Sequence, residues 1–360
     1  MRKLKSKMVA SARDQRLDTI KTVMIMGIVF EHSMLIYGYP RKHELVWALL
    51  ISWLMPLFTF ISGYLFKKRQ INVLMAKYLY PMVFFSGINF IVGYCFYDNY
   101  HQGFLIMGMG YAMWYLWALF WFAIITPPIL KGIPINILLI IAVLLTICYQ
   151  IMPMPARFVY IENMLQLRRI VGFYPFFLLG LIAKRYEILE SVEIKRSRIY
   201  LCLLMTCYLL LSYYKEGFAY KSGFYLTHLA GIETISQILL SYLIIMMLCV
   251  LLITSMPKKQ NLCSRYGSRT LNVYLLHMLV VFPVCWGLFK HLDNSLTMVL
   301  LNSIIACTTS FFFLSDFVER QMKRLLHNCN WKLAVSLYVC ALALVNSSLI
   351  MSLFDKWRNC

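Results

Sequence analysis

The stretch RLDTIKTVMIMGIVFEHSMLIY, residues 16–37, carries Asp18, Lys21, Glu31 and His32 through sequence otherwise apolar enough to cross a bilayer. An ionisable side chain costs roughly 2.5 to 3.5 kcal/mol in the middle of a membrane helix, so such groups face a protein interior or a wet cavity and are functional candidates by default. Helical geometry says which of them can act together. Lys21 and His32 are eleven positions apart, and at about 100° per residue eleven steps come within about 20° of three full turns. The two share one stripe, about 16 Å apart along the axis. Asp18 lies on the same side, three residues before Lys21, where it can pair with the ammonium and lower the cost of burying it. Glu31 points about a quarter-turn away.

The rest of the chain supports a membrane setting. Hydrophobic residues make up 61% of the 360 and charged residues 14%, with a mean hydropathy of +0.69, outside the balance of a soluble domain. Apolar runs suited to a core of roughly 30 Å recur at about 17–37, 45–66, 78–97, 112–130, 134–151, 171–183, 199–214, 233–256, 271–289, 296–314 and 333–353. The expected fold is all-α and integral to the membrane, a polytopic bundle of about ten to eleven transmembrane helices. The run at 171–183 is short, and the last stands alone behind a basic loop. The expected organisation is a basic cytoplasmic N-terminus over 1–15, a transmembrane domain over 16–314, and a cytoplasmic loop with an extra C-terminal helix over 315–360.

The formal charge of +20 invites a nucleic-acid reading, but its distribution argues against one. Alternate loops take it: with the N-terminus inside, 24 Lys and Arg fall on inner segments and ten on outer ones, Lys21 being within the first span. The positive-inside rule then makes the N-terminus cytoplasmic, puts Lys21 near the cytoplasmic face and His32 in the outer half of the bilayer. The basic N-terminus suits the anionic leaflet, so membrane lipids are expected partners. The first span is too long and too polar for a cleavable signal segment. The eleven cysteines include no Cys-x-x-Cys pair and read as small apolar packing residues; no metal-ligand spacing is present.

Further candidates follow along the chain. Arg69 and Lys77, with Lys68, form a second cytoplasmic cationic cluster near the Lys21 end, either topology charges or a site for a phosphorylated ligand. Pro56 is a kink site in span two, where Ser62 and Gly63 allow close helix approach. Trp114, Trp117 and Trp121 repeat on one helical face; Trp114 suits the membrane interface, and the deeper rings suit core, cavity wall or a sugar platform. Arg168 and Arg169, with Arg157, run against the positive-inside bias on an outer loop, as an anionic ligand or lipid phosphate would require. His277 is a second intramembrane histidine, either a structural hydrogen-bonding group or a catalytic one.

Five blocks taken together resemble the bacterial membrane acyltransferase-3 superfamily, and look closest to its fucose 4-O-acetylase-like branch. They are Asp18-x-x-Lys21 with His32 after ten further residues, MPLFTFISG at 55–63, WYLWALF at 114–120, FYPFFLLG at 173–180 and YLLH at 274–277. The resemblance covers roughly residues 14–314 and implies a multi-pass enzyme of the bacterial inner membrane. Such an enzyme moves an acyl group, usually acetyl, from cytoplasmic acyl-CoA to a hydroxyl of a cell-surface or lipid-linked glycan, with no bound cofactor. By position it implies that His32 is the catalytic histidine and Lys21 its motif partner. Lys21 stands where the family more often has Arg, and Lys77 where an Arg commonly precedes the proline matching Pro81. A lysine keeps the charge but loses the bidentate fork for phosphate. The chemistry fits a neutral imidazole taking a proton from an attacking sugar hydroxyl; an acyl-histidine intermediate is the other route. A transporter or export component for a polysaccharide precursor is the competing class, since a wet polar stripe is equally a pathway, though the chain shows no internal repeat.

The charge pattern is testable by topology. Single cysteines placed in the 184–198 loop of a cysteine-depleted protein should resist an impermeant reagent in intact cells and label after permeabilisation; labelling in intact cells would reverse the sidedness.

Overall fold

The computed structural model describes residues 14–34, 53–96, 113–151, 162, 165–191, 196–214, 232–288, 296–341 and 343. Among them every regular element is helical. In chain order α1 is Gln15–Met34, α2 Leu54–Tyr64, α3 71–96, α4 Trp114–Ile129, α5 Ile135–Ile151, α6 Leu167–Arg185, α7 Ser197–Tyr214, α8 Ile232–Ser255, α9 Leu262–Tyr266, α10 270–288, α11 Leu296–Phe313 and α12 Asp316–Asn328; α13 is Trp331–Ala341. Residues 1–13 of the basic N-terminus, the outer loop at 97–110, Arg157 and the end of the last apolar run lie outside the described residues.

Ile71–Val92 and Ile238–Ser255 are each long and apolar enough to cross a membrane, and α11 with α12 makes a third candidate across a 62° bend. The expected ten to eleven spans are not reached among the described residues. The physical reasons differ from helix to helix. α1 has the length, at 20 residues, but carries Arg16, Asp18, Lys21 and Glu31; α2 has the apolarity but is described over only 11 residues.

α1 sits at the centre and packs against α2, α8, α9, α10 and α11. Leu17, Ile20, Met24, Ile25, Ile28 and Val29 are all buried in one continuous core. That is what a helix with polar residues on several sides needs, because each side must meet protein rather than lipid. The tightest crossing is between α2 and α6, and it rests on two glycines. A Cβ on Gly63 would lie 1.9 Å from the Phe177 carbonyl oxygen, and one on Gly180 would lie 2.0 Å from the Phe60 carbonyl oxygen. Backbone meets backbone there, the close approach that small residues permit between membrane helices.

The prolines act differently from the sequence expectation. Pro56 sits in the first turn of α2 as described, where an N–H has no intrahelical acceptor. The third apolar run, expected from about residue 78, is helical already from Ile71, so Pro81 lies inside the helix rather than at its start. It cannot donate to the carbonyl of Lys77, and the chain widens into a π turn over Met75–Leu79, with the Tyr80 N–H bonded to the Met75 carbonyl. Pro283 lies in a second π stretch, Val281–Leu288, in the later part of α10.

The charged segment after α11, expected as a loop, forms the amphipathic helix α12. The Ser315 hydroxyl caps it by accepting from the Val318 N–H at 3.4 Å, Val318 and Met322 are buried, and Arg320, Lys323 and Arg324 are exposed. Two ties bind it to the start of α10: Arg269 pairs with Asp316, and the Asn272 amide donates to Glu319 at 2.6 Å. Burial pushes the Glu319 carboxyl up, but the hydrogen bonds from Lys323 and Asn272 outweigh it and hold the group below its ordinary value. A depressed carboxylate stabilises the fold above its unfolded value and ceases to as pH falls through the folded one, so the tie holds at neutral pH.

The glycine crossing gives a direct test. Gly63→Ala or Gly180→Ala should each destabilise the solubilised protein by at least the roughly 1 to 3 kcal/mol of core overpacking, read as a lowered unfolding midpoint. Gly132→Ala, where no atom lies within 4 Å of the added carbon, should leave it in place.

Candidate active site

The first turn of α1 is held by contacts from distant parts of the chain. Asp18 Oδ1 lies 2.7 Å from Lys21 Nζ, with the carboxylate side chain 3% exposed and the lysine 17%. Thr22 donates its hydroxyl to the Cys263 carbonyl at 2.8 Å, the Asn261 amide donates to the Thr19 hydroxyl at 2.9 Å, and Arg16 donates to the Leu189 carbonyl at 3.2 Å. Gly267 closes the arrangement, since a Cβ there would lie 2.4 Å from that of Asp18. The pair inferred from spacing is therefore present and is locked from two directions.

Beside this turn opens a cavity of about 320 Å³. Its wall takes Lys21, Ile25 and Ile28 from α1, so one face of α1 lines it for two turns. Lys67, Arg69 and Lys77 bring three further cations. Lys77 stands on the π turn forced by Pro81, with its ammonium 4.9 Å from the centre of the Tyr78 ring. Farther in, the wall includes Ser62, Tyr115 and Tyr274. The Ser62 and Tyr115 hydroxyls lie 2.7 Å apart, and the Tyr115 and Tyr274 rings meet edge to face at 6.0 Å.

His32 continues the Lys21, Ile25, Ile28 stripe one turn beyond the cavity wall. His277, 0% exposed, comes from α10 to meet it: His32 Nδ1 and His277 Nε2 are 2.7 Å apart. The rings are inclined by only 11° with centroids 4.9 Å apart. With facing nitrogens that close, the rings join edge to edge near one plane, the direction of a ring-nitrogen lone pair, rather than face over face. The Tyr274 ring is 6.3 Å from His277, so an aromatic chain links the cavity to the histidines.

The remaining candidates divide. Glu31 is buried, and the charge of Arg169 reaches Glu31, His32 and Tyr274. Arg169 also lies 5.0 Å over the Trp114 ring. Arg168 instead pairs with Glu162 at 2.7 Å, both side chains under 10% exposed, which makes it a structural ion. Trp117 donates its indole N–H to the Leu165 carbonyl at 2.9 Å and packs on Phe120 and Trp121; it anchors α4 rather than lining the cavity. The sequence singled out Arg69, Lys77, Lys21 and His32, which the cavity and its extension bring together. Lys67, Ser62, Tyr115 and Tyr274 were missed as site residues. Tyr115 lies between Trp114 and Trp117, within a run of aromatic residues whose spacing does not set it apart from its neighbours.

A cation-lined cavity with a buried pair of histidines beyond its inner wall suits group transfer, and comparison with known proteins gives the class. The profile of the acyltransferase-3 family, described as an acyltransferase domain, matches residues 14–317. The chain belongs to that family and is a transferase acting on acyl groups; a transporter is not favoured. No curated protein and no solved structure matches the chain.

The buried Asp18–Lys21 pair changes what a charge deletion should do. Removing one partner of a buried pair costs about 3 to 5 kcal/mol, whereas replacing both by groups of similar volume can be neutral. Lys21→Ala should therefore lower the unfolding midpoint as well as weaken donor binding. Asp18→Asn with Lys21→Met should restore much of the midpoint and still show a raised KM for the donor, while Lys21→Arg should keep both. A double variant with an unchanged donor KM would remove Lys21 from donor binding.

Proposed function

We propose that this chain is a multi-pass O-acyltransferase of the bacterial inner membrane, in the manner of the fucose 4-O-acetylase-like branch. In this reading ten to eleven helices span the bilayer with the N-terminus cytoplasmic. The acyl group, acetyl, passes from cytoplasmic acyl-CoA to a hydroxyl of a cell-surface or lipid-linked saccharide. The observation that carries the reading is the single face of α1 on which Lys21, Ile25 and Ile28 line a cation-rimmed cavity and His32 follows one turn farther on.

The chemistry follows from that order. Lys21, Lys67, Arg69 and Lys77 suit the phosphates of CoA, each acting as a charge that attracts anionic oxygens; only Arg69 adds a planar fork. The pantetheine arm, long and uncharged, fits the Ile25, Ile28 and Phe58 side of the cavity. The thioester then reaches the Tyr115 and Tyr274 end, nearest the histidines. As the sugar hydroxyl oxygen attacks the thioester carbonyl carbon, its proton passes to His32. The tetrahedral centre collapses, the carbon–sulfur bond breaks, and the departing thiolate takes up the proton from His32. Nothing is left on the enzyme, so His32 is base and then acid within one turnover. Arg169, whose charge reaches His32 and Tyr274, is suited to offset the negative charge on the carbonyl oxygen.

His32 is the decisive position. His32→Ala should insert and express normally, because removing a polar group from a span does not raise its insertion cost. In membrane vesicles given radiolabelled acetyl-CoA, label entering the glycan fraction should fall by roughly 10² to 10⁴-fold, the loss typical of a positioned base. His32→Gln should fold and remain equally inactive. Well-expressed His32→Ala that still acylates glycan near the wild-type rate would end this reading.

A further inference from the structure

His277 takes no direct part in the steps above, yet it is the residue that His32 touches. Its Nδ1 lies 3.0 Å from the Val273 carbonyl oxygen and 2.8 Å from the Tyr274 carbonyl oxygen. Both are acceptors only, so Nδ1 must carry the hydrogen. In a neutral imidazole the other nitrogen is then bare, and His277 Nε2 can only accept. The partner 2.7 Å away, His32 Nδ1, must donate. That leaves the proton of His32 on Nδ1 and the lone pair on Nε2.

We propose that His277 is a positioning residue that fixes the tautomer of His32, so that Nε2 of His32 is the basic atom. The proposal rests on His32 being the base. Its physical content is a relay of fixed direction: backbone carbonyls of α10 orient His277, and His277 orients His32. The near-coplanar rings mean that the bond also fixes rotation of the His32 ring. When His32 Nε2 takes the hydroxyl proton, the ring becomes an imidazolium whose Nδ1–H already points at a lone pair. His277 thereby does for His32 what a carboxylate does in a Ser-His-Asp triad, without placing a formal negative charge in the span. Position 277 is suited to this because the ring folds back along its own helix onto the carbonyls three and four residues earlier.

The test compares two substitutions in the full chain, assayed in membrane vesicles with radiolabelled acetyl-CoA and the native glycan fraction. His277→Leu fills the space but offers no acceptor. His277→Gln offers an amide oxygen to the His32 Nδ1–H. The leucine variant should keep its KM for acetyl-CoA and lose turnover by roughly tenfold to a hundredfold, as when a partner that orients a functional histidine is lost. The glutamine variant should recover most of that loss at the same expression level. A ¹⁵N spectrum of histidine-labelled wild-type protein should show His32 protonated at Nδ1, and the leucine variant should populate the Nε2-protonated form. Equal turnover in the leucine variant and wild type, with His32→Ala inactive, would overturn the positioning role and leave the base assignment standing. Active His32→Ala would overturn the base assignment itself. If the leucine variant fails to assemble, the wild-type spectrum decides, and a bare Nδ1 on His32 would overturn the proposal.

Discussion

A helix that carries Arg16, Asp18, Lys21, Glu31 and His32 through apolar surroundings exists only if the rest of the chain meets each of those groups, and the architecture follows from that constraint. Arg16 reaches the Leu189 carbonyl, Lys21 closes on Asp18, His32 meets His277, and the charge of Arg169 reaches Glu31. The partners come from α1 itself, the 188–191 turn, α6 and α10. Binding α1 on several sides gathers those elements around it, and the cavity forms where α1 faces α2, α3 and α4.

The same constraint explains why so much of the site is built from irregular backbone. Lys77 stands on a π turn that Pro81 imposes. His277 folds its ring back onto the carbonyls of its own preceding turn in α10. Gly63 and Gly180 bring two backbones together one residue from Ser62, which places the Ser62 hydroxyl against Tyr115. At Lys77 and Ser62 a π turn and a glycine-to-backbone contact, rather than an unusual side chain, put a polar group on the cavity wall.

A lysine at position 21 is intelligible in this setting. Lys21 is largely buried and already spends one interaction on Asp18. A compact ammonium pairs with a single carboxylate oxygen and still keeps donors for an incoming anion, whereas a guanidinium tends to satisfy a carboxylate bidentately. Lys67, Arg69 and Lys77, from one short stretch and one π turn, line the same cavity, so positive charge there is shared among several side chains rather than concentrated in one forked contact.

The sequence by itself determined the helical class, the family, the central place of residues 16–37, the Asp18–Lys21 pair and the stripe from Lys21 to His32. All of these are carried by composition or by spacing within one helix, where 3.6 residues per turn fixes the geometry without reference to any other element. The close approach at Gly63 was legible for the same kind of reason, because a small residue in an apolar helix has few other uses. Only the tertiary structure decided that His277 meets His32, that Arg168 is taken by Glu162 while the charge of Arg169 reaches the site, that Trp117 is an anchor, and that Tyr115 and Tyr274 line the inner end of the cavity. Those outcomes depend on distances between residues tens to hundreds of positions apart. They are set by how α2 crosses α6 and how α10 lies on α1, which no periodicity along the chain encodes.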